Sequence, residues 1–331
     1  MKKLILIFTL ASLAAACEGQ DTQVQRTQSA PLSISGAPDK SATLSRSLAA
    51  FPDSILLPWG AGEGQVGLIP AAPERAAFGP LSAAIGNDGT VFILDQVNGR
   101  LVELAPNGTW RGTRPAPLAP TDLSVDAAGR PAVLSLVNHR LSIVEEQGVV
   151  EEIETPMVLQ VGALSSTRQG DFLLLGAHQE TFRLGRPGAW IGWPDLLKTK
   201  VEGHAQECGG EPLQTLLQDG RAWLLHRVPL KQEPERVELQ GTDGVASAVV
   251  LASLSSNEAL VVLERWQGAG VVRSLARYGL SGERHAETPL VGQPISFPFK
   301  ELVPADDGAV LRLLPQEDGL RLEVIRVGGA S

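Results

Sequence analysis

From residue 81 onward, short apolar runs alternate with turn signals. LSAAIG (81–86) is followed by Asp88-Gly89, then TVFILD (90–95), Asn98-Gly99, RLVEL (100–104) and Asn107-Gly108. Runs of this length bounded by Gly and Asn predict strands joined by tight turns, because such turns need φ > 0 at a central residue. TVFILD is apolar almost throughout, the mark of a strand covered on both faces of its sheet. The same order recurs forty residues on, where Gly89, Asn98, Arg100 and Gly108 become Gly129, Asn138, Arg140 and Gly148. A third copy follows with QGDFLLLG (169–176), FRL (182–184) and Gly188.

Each unit therefore predicts four short strands, and a four-stranded unit of roughly forty residues matches a β-propeller blade. QDGRAWLLH (218–226) opens a fourth unit. NEALVVLERW (257–266) with VVRSLARY (271–278) forms a fifth, and DDGAVLRLL (306–314) with GLRLEVIRV (319–327) a sixth. The last unit lacks an outer strand, whereas SILLPW (54–59) precedes the first inner strand without a partner. The pattern predicts an all-β, six-bladed propeller over residues 53–328, closed by the N-terminal strand completing the last blade. Closure removes the free edges that would invite aggregation. WGAGEGQ (59–65) followed by FGPLSAAIGNDGTVFILDQVNGRLVEL (78–104) resembles the NHL-repeat propellers. That resemblance implies a fold and almost no activity.

The N-terminus changes the picture. MKK, the apolar LILIFTLASLAA and Ala14-Ala15-Ala16 read as a signal peptide over residues 1–16, too short to span a bilayer comfortably. LAAAC (13–17) resembles the lipobox of bacterial lipoproteins, which implies lipid on Cys17. Glu18 after the cysteine implies, by resemblance to enterobacterial lipoproteins, the outer membrane. Residues 17–52, rich in Gln, Ser, Thr, Ala and Pro, read as a disordered tether with a reach of roughly 30 Å. Loss of residues 1–16 removes Lys2 and Lys3 and no acid, moving the net charge from −9 to −11. An acidic body argues against nucleic acid and against electrostatic docking on anionic lipid, so the membrane link is the lipid alone. With Cys17 lipidated, Cys208 has no intramolecular partner and no disulfide framework exists.

Candidate chemistry is sparse. No G-x-S-x-G, H-E-x-x-H, P-loop or C-x-x-C-H motif occurs, no catalytic residue is assigned, and the chain leans away from enzymes. Asp95, Asn98 and Arg100 recur with the repeat, Ser135 replacing Asp95, and read as turn chemistry. Asn107-Gly108-Thr109 is a formal glycosylation sequon that reads as a turn. The longest break in the repeat is PDLLKTKVEGHAQECGGEP (194–212). Loops that outgrow a repeat are where propellers carry binding residues. Trp190, Trp193, His204, Glu207 and Cys208 are the partner-contact candidates there. His204 and Cys208, with Glu202 and Glu211 nearby, make at most half a zinc site, so no metal is assigned. The expected partner is another envelope protein or a small ligand, met by a monomeric domain without a cofactor. The alternative is a metal-dependent hydrolase or lactonase, as in six-bladed gluconolactonase-like enzymes. There Asp122, Gln160, Gln214 and Glu301 would converge on one divalent cation such as Ca in the channel.

Overall fold

The computed structural model describes residues 46–328, apart from 156–160, 168–169, 177–179, 193–194, 203–212, 227–233, 255–256 and 269. Its first strand, β1 (Ser54–Pro58), belongs to the last sheet. Blade 1 contains β2 (Ser82–Ile85), β3 (Val91–Asp95), β4 (Arg100–Leu104) and β5 (Trp110–Pro115), and blade 2 contains β6 (Asp122–Val125), β7 (Pro131–Ser135), β8 (Arg140–Glu145) and β9 (Gly148–Glu154). In blade 3, β10 (Val161–Ser166), β11 (Phe172–Gly176), β12 (Glu180–Arg186) and β13 (Ala189–Trp190) run outward, and β14 (Val201–Glu202) also pairs with β12. Blade 4 contains β15 (Leu213–Gln218), β16 (Arg221–His226) and β17 (Glu235–Glu238). Blade 5 contains β18 (Val245–Leu254), β19 (Glu258–Gln267), β20 (Gly270–Gly279) and β21 (Arg284–Pro289). Blade 6 orders β22 (Leu302–Pro304), β23 (Ala309–Gln316), β24 (Gly319–Arg326) and finally β1. These are six antiparallel sheets in a six-bladed β-propeller.

The ring closes as the pattern predicts. β1 lies antiparallel to β24, with Ile55 opposite Leu322 and Leu57 opposite Leu320. The forty-residue rhythm also holds in backbone geometry, since Gly89 and Gly129 take φ of 81° and 79° in equivalent turns. Apolar clusters wedge between neighbouring blades rather than forming one central core. The largest joins blades 6 and 1 through Leu311, Leu313, Leu320 and Leu322 on one side and Ile85, Val91, Ile93 and Leu104 on the other.

Three features depart from expectation. Blade 4 has three strands among the described residues, and its outermost strand, Glu-Arg-Val-Glu after Pro234, carries the charges and proline that blunt an edge. Residues 46–52, assigned from their composition to the tether, pack against the propeller instead. Leu48 and Phe51 are buried in the cluster between blades 6 and 1, and Asp306 N–H donates to Arg46 O at 2.7 Å. Two apolar side chains are enough to dock a segment whose average composition is polar. Third, β19 and β20 run ten residues each, against five in β3 and β4.

Alternation of antiparallel strands sorts the connections onto two faces. In the four-stranded blades, turns from first to second and third to fourth strand lie on the lower face. Turns from second to third strand, and the links between blades, lie on the upper face. The chain before β1 arrives below, where Ser47 Oγ donates to Asp307 in the β22–β23 turn at 2.7 Å. The five most exposed large apolar side chains among the described residues are Leu118 (85%), Phe297 (82%), Val291 (76%), Val137 (74%) and Trp266 (68%). Four sit in upper connections, and Trp266 stands at the upper end of β19.

If β1 closes the ring, Leu57→Ala should lower the unfolding free energy by about 2–4 kcal/mol. Leu118→Ala should stay within about 0.5 kcal/mol of the parent. Urea unfolding followed by far-UV circular dichroism measures both, and equal small effects would contradict the closure.

Candidate functional site

The inner strands carry a polar cluster along the ring axis. Asp122, at the start of β6, is fully buried. Its Oδ1 accepts from Ser82 Oγ at 2.5 Å and Leu123 N at 2.7 Å, and its Oδ2 from Leu164 N at 2.6 Å. Lys300 Nζ lies 2.9 Å from Oδ1 and donates to Leu123 O at 2.7 Å and Leu164 O at 2.8 Å. All three ammonium donors are thus used, and one side chain from the link into blade 6 ties blades 2 and 3 together. Lys300 N–H in turn donates to Leu81 O in front of β2.

A second cation fills the lower end. Arg46 Nη2 donates to Ser166 Oγ at 3.0 Å and Val125 O at 3.3 Å, and Nη1 to Ser166 O at 3.3 Å. Ser124 and Ser166 hydroxyls lie 2.8 Å apart beside it. Between Lys300 and Arg46 remains a cavity of about 50 Å³ lined by Ala83, Leu123, Ser124, Leu164 and Val303 among others. It has room for a few water molecules.

Of the donor set expected for a divalent cation, Asp122 and Glu301 are engaged with protein groups. Asp122 already accepts three hydrogen bonds and an ammonium. Glu301 turns away from Lys300's partners: its Oε1 accepts from Arg312 Nε at 2.8 Å and its Oε2 from Arg273 Nη1. Gln214 is half-buried on β15, and Gln160 lies outside the described residues. Among the described residues no three His, Cys, Asp or Glu side chains form a metal-binding group. The sequence flagged Asp122 but missed Lys300 and Arg46, whose only visible signal was a cation beside an apolar strand or run.

Asp95, Asn98 and Arg100 do more than shape their own turn. Buried Asp95 accepts from Gly67 N at 3.0 Å, Asn98 Nδ2 at 2.8 Å and Arg100 Nε at 3.0 Å. Asn98 Nδ2 also reaches Gly60 O at 2.9 Å, and Arg100 reaches Ala61 O at 2.8 Å and Gln65 O at 2.9 Å. The trio therefore clamps the 59–67 loop onto blade 1. In blade 2, Ser135 Oγ donates to Ala119 O and Asn138 Nδ2 to Leu118 O, holding the preceding link in the same manner. Arg140, with no aspartate beside it, pairs with Glu152 at 2.9 Å.

Of the partner-contact candidates, Trp190 is half-buried, with its ring stacked on Phe172 at a centroid distance of 5.9 Å. Its Nε1 donates to Glu151 Oε1. Trp193, His204, Glu207 and Cys208 lie outside the described residues, as does Cys17.

A titrating group sits on the lower rim of blade 5. His285 meets Glu258 through Nδ1 at 2.8 Å and Glu283 through Nε2 at 3.1 Å. Hydrogen bonds to Glu258 and then Glu283 hold its pKa above the ordinary 6.5. A raised folded-state pKa gives stability that is fully present below about 6.5 and disappears as pH climbs through the raised value. The advantage of the parent over His285→Gln in thermal midpoint should therefore be present near pH 6 and shrink as pH rises through the raised value. An advantage that grows with pH would contradict the assignment.

For the channel pair, Asp122→Ala strands Lys300 among carbonyls and should cost about 3–5 kcal/mol in urea unfolding. Adding Lys300→Met should recover part of that loss. Additive losses would show that the two do not act as a pair.

No protein-family model and no curated protein matches the chain. Among solved structures it is similar to virginiamycin B lyase from Staphylococcus aureus, at TM-score 0.42 and 11% identity, covering 75% of this chain and 95% of that one. A streptogramin B lyase structure gives 0.39 and 12%, covering 75% and 93%. A protein of unknown function from Bacteroides caccae gives 0.37 and 14%, covering 64% and 81%. Superpositions this loose carry no inference about what this chain does.

Proposed function

We propose that the chain is a lipid-anchored, NHL-like propeller of the bacterial envelope, on the outer membrane, that offers its upper face to a partner. The observation that carries this reading is the opposition of the two faces. The chain from the tether docks below, at Arg46 and Ser47, while the most exposed apolar side chains stand above. A domain held from below by lipid on Cys17 would present those side chains outward, and exposed apolar positions of this kind mark interaction surfaces. The acidic body does not adhere to anionic lipid by itself. The filled channel favours binding over catalysis, and we assign the partner contact to the 194–212 insertion; its described part packs on blade 3, with Leu196 buried and β14 paired to β12, and residues 203–212 lie outside the described residues.

The test is metabolic labelling with an alkyne fatty-acid analogue in a bacterial host. The parent should incorporate label and sediment with the outer membrane, and Cys17→Ser should do neither. Replacing residues 203–212 with a short Gly-Ser linker, which keeps Leu196 and β14 in place, should leave the domain folded and abolish co-purification of an envelope protein. Equal labelling of parent and Cys17→Ser would overturn the anchor, and unchanged co-purification would overturn the role of the insertion.

A further inference from the structure

In blade 5, β20 is covered on its outer side for only part of its length. β21 pairs with Ser274–Tyr278, and Pro289, opposite Ser274, is its last residue. Leu290 N still donates to Arg273 O. Backbone groups alternate sides along a strand, so the N–H and C=O of Val271 face the same outer side as those of Arg273. β19 lies on the other side of β20, itself paired to β18 as far as Arg265, and leaves this edge untouched. Among the described residues no backbone group pairs with Val271 there.

The chain that could have covered this edge is held aside. Gly292 takes a φ of 89°, which turns the link into blade 6 away from β20. Buried Arg312 fixes it there by donating to Val291 O and Gly292 O. What remains is a cleft of about 570 Å³ whose lining includes Val271, Val272, Leu290, Val291 and Phe297. Successive side chains of a strand point to opposite faces of its sheet. Val271 and Val272 both line the cleft, so it lies against the edge of β20 and not against one face. It occupies the line along which β21 would have continued.

The charges beneath the cleft are matched among themselves. Arg273 pairs with Glu301 and lies 3.5 Å from Glu264, while Arg312 pairs with Glu301 and lies 3.6 Å from Glu323. With three carboxylates on two guanidiniums, the floor calls for no charged group. An open strand edge suits a backbone and apolar walls suit apolar side chains, the two parts of recognition by strand addition. We infer that this cleft receives an extended, uncharged segment of a protein partner, paired through its main chain with Val271 and lodging apolar side chains between Val272 and Phe297. The inference rests on the reading of the upper face as an interaction surface. A free peptide tests it without the anchor, the insertion or the whole partner, so the two can fail separately.

The experiment uses the full chain carrying Cys17→Ser, purified without detergent, and a capped heptapeptide of alternating threonine and valine centred on a valine. The peptide carries a neutral fluorophore and binding is read by fluorescence anisotropy. Binding should saturate at one peptide per chain. N-methylating alternate residues along one edge of the peptide should abolish binding, and along the other edge should spare it. Val271→Pro, which removes an outward N–H at an edge where proline is tolerated, should weaken binding at least about tenfold, and Val271→Thr should not. Phe297→Ser should weaken it several-fold, and Val137→Asp, on the same face outside the cleft, should not. Aspartate or lysine in place of the central valine should each weaken it. Unfolding midpoints confirm that each variant is folded. No saturable binding, equal effects of the two methylation patterns, unchanged binding by Val271→Pro or Phe297→Ser, equal weakening by Val137→Asp, or tighter binding of the aspartate peptide would each overturn the proposal.

Discussion

Six twisted sheets share the burden of excluding water only when the first and last meet, and five residues make that join. Ser54–Pro58 pair along β24, and the cluster between blades 6 and 1 forms because they do. Without them β24 would present an unpaired edge, and the leucines of β23 and β24 would lose one wall. The polar clamp at Asp95 depends on the same closure. The loop it holds, residues 59–67, is the continuation of β1 onto the upper face. Trp59 reinforces this by donating from Nε1 to Gln316 O at 2.9 Å across the seam.

The axis of the ring is structural. Asp122, Lys300 and Arg46 convert what would be a wet channel into a hydrogen-bonded plug, each cation facing carbonyls of β6 and β10. A buried ion pair contributes little net stability over an apolar filling, but either partner alone would be costly. The pair therefore sets which residues must stay together more than how stable the fold is.

The fold was legible because its rules are local and repeat. Gly89 and Gly129 mark identical turns, and a period of forty residues needs no knowledge of distant contacts. Closure was legible too, since an unmatched strand at one end and a missing one at the other leave a single economical solution. The fourth blade, three-stranded among the described residues, was not, because QDGRAWLLH reports two strands and says nothing of a fourth. The plug was half legible. Asp122 stood out as a polar residue on an inner strand, but Lys300 and Arg46 reach it from a link and from the tether's end, segments with no periodicity. Likewise Leu48 and Phe51 are two apolar residues in a polar stretch, and only the gap they fill gives them meaning.

The docking of residues 46–52 below the ring has a mechanical consequence. Any load arriving along the preceding chain meets Arg46 in the channel mouth first, then the buried Leu48 and Phe51, and only then β1. β1 begins at the loaded end, so a pull would peel its ladder one pair at a time, the weakest geometry for a strand. The seven residues before it act as a strain relief, keeping the seam of the ring out of the line of force.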